Sequence, residues 1–228
     1  MTRKSPSNGD FFYVKIFPSL KEKGEILMIK KFFLQFSKPE GLLGSFVGKL
    51  MAATGKEKNR WTISNLEIKE DDYILEIGFG PGVAVEMAAK IATKGKIVGV
   101  DYSSVMLKQA TKRNKNAIID KQVQLLQADA NNLPTFDMKF DKVYSINSII
   151  FWKDPIKTLK HVKSCMKDGG MIAITIHPYQ KGDTEKVVKN FGANIRHYLS
   201  EAGFTDIQVE YKPIKPSHAV CVIAKNKH

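Results

Sequence analysis

Cysteine is scarce in this sequence: Cys165 and Cys221 are the only two among 228 residues. They lie far apart and have no second pair beside them, so they form neither a disulfide framework nor the spacing of a zinc site. Because small secreted domains depend on such cross-links, this scarcity is typical of a reducing compartment. We therefore expect a cytoplasmic protein without a bound metal.

Long apolar runs are absent as well. A run such as 171–176 has the length of a strand, whereas a helix that crosses a bilayer needs about 20 apolar residues. The charged N-terminus has no apolar core directly behind it and no small-residue cleavage site, so it does not resemble a secretory signal. We expect no transmembrane segment.

Acidic side chains are outnumbered, with 23 Asp and Glu against 36 Lys and Arg and a formal net charge of +13. A positive field favours anionic partners such as nucleic acid, an acidic lipid surface or an anionic small substrate. The lysines, however, are spread along the chain and alternate with acids, as on an ordinary solvated surface. Charge alone therefore does not identify a partner.

Residues 1–60 differ in composition from the rest, because aromatic and apolar clusters are mixed with lysines there. Apolar residues at helical spacing in 41–51 predict a helix. We predict an N-terminal helical extension over 1–60, forming a lid over the substrate site, and one domain over 61–228. Two alternatives stay open for the extension: simple packing against the core, or a basic aromatic helix at 26–36 lying on an anionic membrane.

From residue 72 onwards, apolar runs of strand length alternate with helical patterns. The predicted strands are 73–77, 96–101, 123–127, 140–147, 171–176, 205–211 and 219–224. The predicted helices are 83–91, 103–114, 154–166 and 184–202. Strands separated by helices form a parallel sheet with helices on both faces, and the last two strands suggest an antiparallel hairpin. The fold class is therefore α/β, a Rossmann-like doubly wound sheet of seven strands, mostly parallel.

Acidic residues and glycines stand where the first three predicted strands end, and ligands of such sheets bind beyond these carboxyl ends. The first strand leads into Gly78-Phe79-Gly80-Pro81-Gly82, whose glycines permit a tight turn and let backbone amides approach a ligand. Glu76 is a carboxylate inside an apolar strand, which is costly unless something binds it. Asp101 suits a grip on ribose hydroxyls, and Asp129 suits an adenine amino group. Together they predict a site for a neutral or cationic nucleoside.

A dinucleotide fits this pattern less well. The dinucleotide fingerprint is Gly-x-Gly-x-x-Gly, with the pyrophosphate resting on a helix N-terminus. Here the glycines are Gly78, Gly80 and Gly82, position 83 is Val, and Glu76 would lie near the phosphates. The hypothesis of a nicotinamide-dependent reductase is therefore less favoured.

With the glycine loop, the two aspartates and the terminal hairpin, residues 61–225 resemble the class I S-adenosylmethionine-dependent methyltransferases. The resemblance implies that Glu76 and the loop 78–82 hold the methionine part of S-adenosylmethionine. It further implies that Asp101 binds both ribose hydroxyls, with Tyr102 flanking the adenine.

The same resemblance assigns three more residues. Asp129 would bind the adenine amino group, and the amide of Ala130 would lie beside the ring. Asn147, at the end of the fourth strand, would lie near the methionine moiety and the acceptor.

The chemistry of such an enzyme belongs mainly to the cofactor, and the protein aligns the acceptor and excludes water. A general base is needed only where the acceptor must lose a proton. His177, just past the fifth strand, is the candidate base, with a structural role as the alternative. Phe151 and Trp152 could line the acceptor pocket or pack in the core.

The acceptor is expected to be a small molecule. The fourth-strand segment 145–152 lacks the Asp/Asn-Pro-Pro-Tyr/Phe element of enzymes that methylate exocyclic amines of bases, and no RNA-binding module is recognisable. An RNA methyltransferase that uses the basic surface is the alternative, and peripheral membrane contact stays open. The sequence indicates neither the acceptor nor the oligomeric state.

Overall fold

The computed structural model describes residues 55–178, 184–215 and 217–227. The predicted extension lies outside the described residues up to residue 54, and so do the predicted helix at 41–51 and the membrane alternative at 26–36. Within the described ranges, every helix is too short or too polar to span a bilayer.

A seven-stranded sheet forms the centre of the domain. Its strands are β1 Tyr73–Ile77, β2 Lys96–Asp101, β3 Val123–Gln127, β4 Phe140–Ile146, β5 Met166–Ile176, β6 Thr205–Ile214 and β7 Ser217–Lys225. The order across the sheet is β3-β2-β1-β4-β5-β7-β6. Strand β7 runs antiparallel to both of its neighbours, and the other neighbouring pairs are parallel. The predicted doubly wound sheet with a terminal hairpin is confirmed.

Six α-helices surround this sheet in the described part of the chain. They are α1 Lys56–Ser64, α2 Val83–Ala89, α3 Ser104–Arg113, α4 Lys115–Ile119, α5 Pro155–Ser164 and α6 Thr184–Glu201. Two of them begin at side-chain caps: Ser103 accepts from the Met106 N–H, and Asp154 accepts from the Lys157 N–H. The short helix α4 was not predicted from the sequence.

The core has two halves, one on each face of the sheet. Because successive strand residues point to opposite faces, Leu75 and Ile77 pack with residues of α5 and α6, whereas Ile74 packs with residues of α2 and α3. A sheet covered on both faces needs apolar residues at nearly every strand position. This is why the strands read as continuous apolar runs in the sequence.

Strand β5 begins earlier than the predicted residue 171. Phe140 of β4 pairs with Met166, and the register then shifts so that Lys142 pairs with Met171. The glycines expected to end the preceding helix therefore lie in a bulge of the strand, where Gly169 has a φ of 73°. The helix itself ends at Ser164, two residues before the predicted end.

Helix α1 ties the N-terminal side of the described chain to the sheet. The Thr62 hydroxyl lies 2.6 Å from the Thr175 hydroxyl of β5, and both residues are fully buried. The predicted domain boundary between residues 60 and 61 falls inside this helix.

Candidate active site

The predicted site residues of the first three strands lie at one edge of the sheet, where the parallel strands end. Asp101 pairs with Gln127, two positions before Asp129. The N–H of Gly78, directly after β1, donates to the Val100 carbonyl of β2 over 2.8 Å. The topological switch of the sheet lies beside them, because β1 stands between β2 and β4.

Glu76 is a buried carboxyl, with 2% of its surface exposed. The hydroxyl of Tyr144, its register partner on β4, donates to Glu76 Oε2 over 2.7 Å. Burial raises the pKa of Glu76 well above 4.5; the bond from Tyr144 acts against this, and the charge of Asp101 adds to it. Ionised Glu76 is therefore a group that a cationic ligand would stabilise strongly.

Asp101 holds the glycine loop against the end of β2. Its Oδ2 accepts from the Gly80 N–H and its Oδ1 accepts from the Ser103 N–H, each over 2.8 Å. Burial raises the pKa of Asp101, and the two backbone bonds act against that rise. Each carboxylate oxygen can accept more than one hydrogen bond, so these contacts leave capacity for ribose hydroxyls.

The loop needs glycine at both ends. Gly78 has a φ of +81°, and a Cβ there would lie 2.4 Å from the Ser148 Oγ. Gly82 has a φ of +75°, and its Cβ would lie 2.7 Å from the Cβ of Ala110 on α3. Both the backbone conformation and the close approach of neighbours exclude larger residues.

The other loop residues face the protein. Phe79 is 3% exposed and packs so closely on β2 that a Cβ at Gly99 would lie 2.8 Å from its ring. The Pro81 carbonyl accepts from Arg113 Nε over 3.0 Å, and the Gly82 carbonyl accepts from Asn114 Nδ2 over 3.1 Å. These contacts fix the loop on the side that faces the protein and keep its backbone in one conformation.

The residues predicted to surround an adenine differ in exposure. Tyr102 is 48% exposed. Asp129 is half-buried and begins the short 3₁₀ helix Ala130–Asn132. Its Oδ1 accepts from the Asn131 N–H over 2.9 Å and from Asn131 Nδ2 over 2.6 Å. The structure thus gives Asp129 a capping role through one of its two oxygens.

Asn147 joins the ends of β4 and β5. Its Oδ1 accepts from the His177 N–H over 2.7 Å, and its Nδ2 donates to the His177 carbonyl over 3.3 Å. Asn147 has a φ of 57°, a conformation that asparagine tolerates better than most residues. The residue stands at the predicted edge, but these bonds direct its amide to the backbone of β5.

His177 is buried, and its ring is tied to the end of β6. Its Nε2 donates to the Ile214 carbonyl over 3.0 Å, since a carbonyl can only accept. Burial and the charge of Lys58 lower the pKa of His177, and the bond to Ile214 acts against them. The ring links two strand ends, and its role as a base stays a prediction.

Two residues of this site were not predicted from the sequence. Tyr144 donates to Glu76, and Ser148 lies so close to Gly78 that it leaves no room for a Cβ there. Ser148 also accepts from the indole N–H of Trp152, which is 6% exposed and packs in the core. A strand alignment that placed Tyr144 opposite Glu76 could have found the first; no signal marked the second.

Sequence comparison identifies the family. A family profile described as "Methyltransferase domain" matches residues 74–170. The uncharacterized methyltransferase YdaC of Bacillus subtilis (strain 168) is 37% identical over 178 residues, which cover 78% of this chain and 96% of YdaC. The chain belongs to the class I S-adenosylmethionine-dependent methyltransferases.

Other relatives of this methyltransferase are more distant. Demethylmenaquinone methyltransferase of Lactobacillus johnsonii is 28% identical over 121 residues, which span 51% of this chain and 50% of that protein. The crystal structure of a SAM-dependent methyltransferase from Aquifex aeolicus superimposes with a TM-score of 0.59 at 22% identity, over 73% of this chain and 88% of that one. That likeness shows the shared fold.

Proposed function

We propose that this methyltransferase holds S-adenosylmethionine at the edge formed by β1 to β4 and transfers its methyl group to a small-molecule acceptor. The observation that carries the proposal is a set of acidic side chains where three neighbouring strands end: buried Glu76 in β1, Asp101 at the end of β2, and Asp129 just after β3. Acidic side chains suit a ligand with an ammonium group, a sulfonium and ribose hydroxyls, and they repel a pyrophosphate.

The residues are assigned to the cofactor by position along the edge. Glu76 faces its ammonium group, and the backbone of the loop 78–82 lies along its methionine part. Asp101 binds the ribose hydroxyls. Tyr102, Asp129 and the Ala130 amide surround the adenine, and Asn147 lies on the acceptor side.

When bound, S-adenosylmethionine would supply an electrophilic methyl group: a lone pair of the acceptor would bond to the methyl carbon as the methyl–sulfur bond breaks, and S-adenosylhomocysteine would leave. The chain binds the cofactor and the acceptor, orients them and excludes water. The residues that the surrounding protein holds in fixed positions serve these roles. Asp101 accepts from the Gly80 N–H and so holds the middle of the loop in place. Asn147 and His177 hold the ends of β4 and β5 together at the acceptor side.

A small acceptor is favoured over RNA. Demethylmenaquinone, which the name of one relative gives as its acceptor, is a small molecule. The segment 145–152 lacks the motif of base-methylating enzymes. The positive charge of the whole chain favours RNA as the second candidate.

The extent of the cofactor domain is part of the proposal. We assign it to residues 61–228 and regard 1–60 as an added extension. The match to YdaC uses 178 of the 228 residues and accounts for 96% of that relative. This supports a shared domain shorter than the present chain; because the 178 matched residues outnumber those of 61–228, the match also includes residues before 61.

Calorimetric titration with S-adenosylhomocysteine and with NADPH tests the cofactor assignment. We expect saturable binding of S-adenosylhomocysteine and none of NADPH. Binding of NADPH alone would contradict the proposal. A filter-binding titration with tRNA over a salt series addresses the second candidate, because tight binding with a steep salt slope would favour RNA.

A further inference from the structure

A groove outside the proposed cofactor site lies between α1 and β6, with a volume of about 550 Å³. This α1–β6 groove is lined by Lys56, Glu57, Arg60, Trp61, Ser64 and Lys212. Its size is that of a small-molecule site, since such sites enclose roughly 300–1,000 Å³. No residue of the proposed cofactor set lines it.

The groove carries a positive charge. Its lining has three cationic side chains, those of Lys56, Arg60 and Lys212, and the carboxylate of Glu57. Glu57 pairs with Lys212 at 3.9 Å. Within the described residues, neither Lys56 nor Arg60 forms an ion pair. An arginine can bind a carboxylate or phosphate through two parallel bonds.

One wall of the groove is aromatic. Trp61 is half-buried, with part of its indole packed on the core that includes Ile63 and Leu66. Its remaining surface faces the groove beside Arg60, its neighbour in the chain. An indole face next to cationic side chains suits a flat ring that carries a negative group.

One end of the groove lies near the ligand edge of the sheet. Burial and the charge of Lys58 on α1 lower the pKa of His177, and the charge of Glu57 acts in the opposite direction. The ring of His177 bonds to Ile214, two residues after Lys212. Asn147 in turn holds His177 at the end of β4. The Lys212 end of the groove therefore lies near this edge, but the groove is lined by α1 and β6 alone, and β7 and β5 stand between β6 and β4.

We propose that the α1–β6 groove binds a small ring-bearing anion at a site separate from the proposed cofactor site. Its carboxylate or phosphate lies on Lys56, Arg60 and Lys212, and its ring lies on Trp61. The proposed ligand chemistry rests on the residues that line the groove. A single concave site with a carboxylate in its wall fits a compact anion better than a continuous phosphate chain.

The two tryptophans of the chain allow a direct test, because each gives one indole N–H signal in a proton–nitrogen correlation spectrum. Trp61 lines the groove, and Trp152 is buried beside Ser148 and the glycine loop. The full-length protein is titrated with benzoate, phenyl phosphate and neutral benzamide, and Trp61→Phe assigns the signals. We expect benzoate or phenyl phosphate to shift the Trp61 signal saturably while benzamide and the Trp152 signal show no change.

Two charge variants separate the groove from the general positive field. Arg60→Gln should weaken binding of the anionic probe about tenfold, the loss typical of a charged hydrogen-bond partner. Lys112→Gln removes the same charge from an exposed position on α3 and should leave the affinity unchanged. Equal losses in both variants would overturn the proposal, as would an equal response to benzamide or an unmoved Trp61 signal.

The same spectrum distinguishes the two proposals. S-adenosylhomocysteine should shift Trp152, which lies next to the loop, in the wild type and in Arg60→Gln alike. If it does so while the anionic probes leave Trp61 unmoved, the groove proposal fails and the cofactor proposal stands. If the anionic probes shift Trp61 while S-adenosylhomocysteine leaves Trp152 unmoved, the cofactor proposal fails and the groove proposal stands. A short RNA that shifts Trp61 at lower concentration than phenyl phosphate, with a steep salt dependence, would replace the small anion by nucleic acid.

Discussion

Glu76 is the residue at which folding and ligand binding make opposite demands. Burial raises the pKa of its carboxyl well above 4.5, the Tyr144 hydroxyl opposes the rise, and the charge of Asp101 adds to it. A carboxyl whose pKa is higher in the folded chain favours folding below the unfolded pKa. This contribution is lost as the pH rises through the folded pKa. Near neutral pH the buried carboxyl therefore weakens the fold.

We expect Glu76→Gln to raise the unfolding temperature of the ligand-free protein at neutral pH. The amide carries no charge and keeps an oxygen that can accept from Tyr144. The gain should shrink as the pH falls towards 4.5, where the wild-type carboxyl becomes protonated in both states. The same variant should bind S-adenosylhomocysteine more weakly, because the ammonium group loses its counter-charge. Thermal melts over a pH series and calorimetry measure the two effects.

Glu86→Gln is the matched control for this pair of measurements. The bond from Lys90 lowers the pKa of Glu86, so its contribution to stability is present at neutral pH and lost in acid. The control should therefore gain no stability at neutral pH. A gain in both variants, or a gain in Glu76→Gln that does not change with pH, would contradict the explanation.

The turn from β1 into α2 is the element that combines ligand shape with packing. Gly82 ends the loop, and α3 crosses it closely enough to leave no room for a Cβ. Asn114, at the end of α3, donates to the Gly82 carbonyl. The loop backbone and the position of α3 are therefore fixed together.

Gly82→Ala should destabilise the protein more than Gly169→Ala does. Both glycines have a positive φ, +75° and +73°, but among the described residues nothing lies within 4 Å of an added Cβ at Gly169. Gly169→Ala therefore reports backbone strain alone, about 1–2 kcal/mol. Gly82→Ala adds the clash with Ala110, for a total of about 3 kcal/mol or more. Urea unfolding measures the free energy of unfolding of both variants. Equal losses of stability would show that α3 moves aside without cost, which would contradict the prediction.

Most elements could be predicted from the sequence because their signals are local. The apolar runs of β1, β2 and β3 end at glycine or at polar residues, and the structure has these strands at the predicted bounds. The start of β5 could not be predicted, because it depends on the pairing of Phe140 with Met166 across the sheet. In the sequence, Gly169 and Gly170 are equally compatible with the end of a helix and with a bulge in a strand.

In the site, too, some features could be predicted from the sequence and others depend on how the strands pair. Topology alone brings Glu76 and Asp101 to one edge, so the sequence could predict their meeting. The contact of Tyr144 with Glu76 depends on the register between β1 and β4, which no local pattern specifies. The bonds that commit Asn147 and His177 to backbone groups likewise depend on the meeting of strand ends.

At the scale of the whole molecule, the described residues form a core on both faces of the sheet. Each face of the sheet is covered by helices between residues 56 and 201. We expect a chain of residues 55–228 to melt cooperatively and to bind S-adenosylhomocysteine with an unchanged dissociation constant. Circular dichroism and calorimetry check this. A truncated chain that is folded but no longer binds would show that residues 1–54 belong to the cofactor site.

The measurement that tests the central claim most directly is calorimetric titration of Asp101→Ala with S-adenosylhomocysteine. Asp137→Ala, which removes the same charge from an exposed loop before β4, is the control. We predict that Asp101→Ala weakens binding by about 1–3 kcal/mol, while the control keeps the wild-type affinity. An Asp101→Ala protein with a native melting curve and unchanged affinity would contradict the assignment of these strand ends to the cofactor.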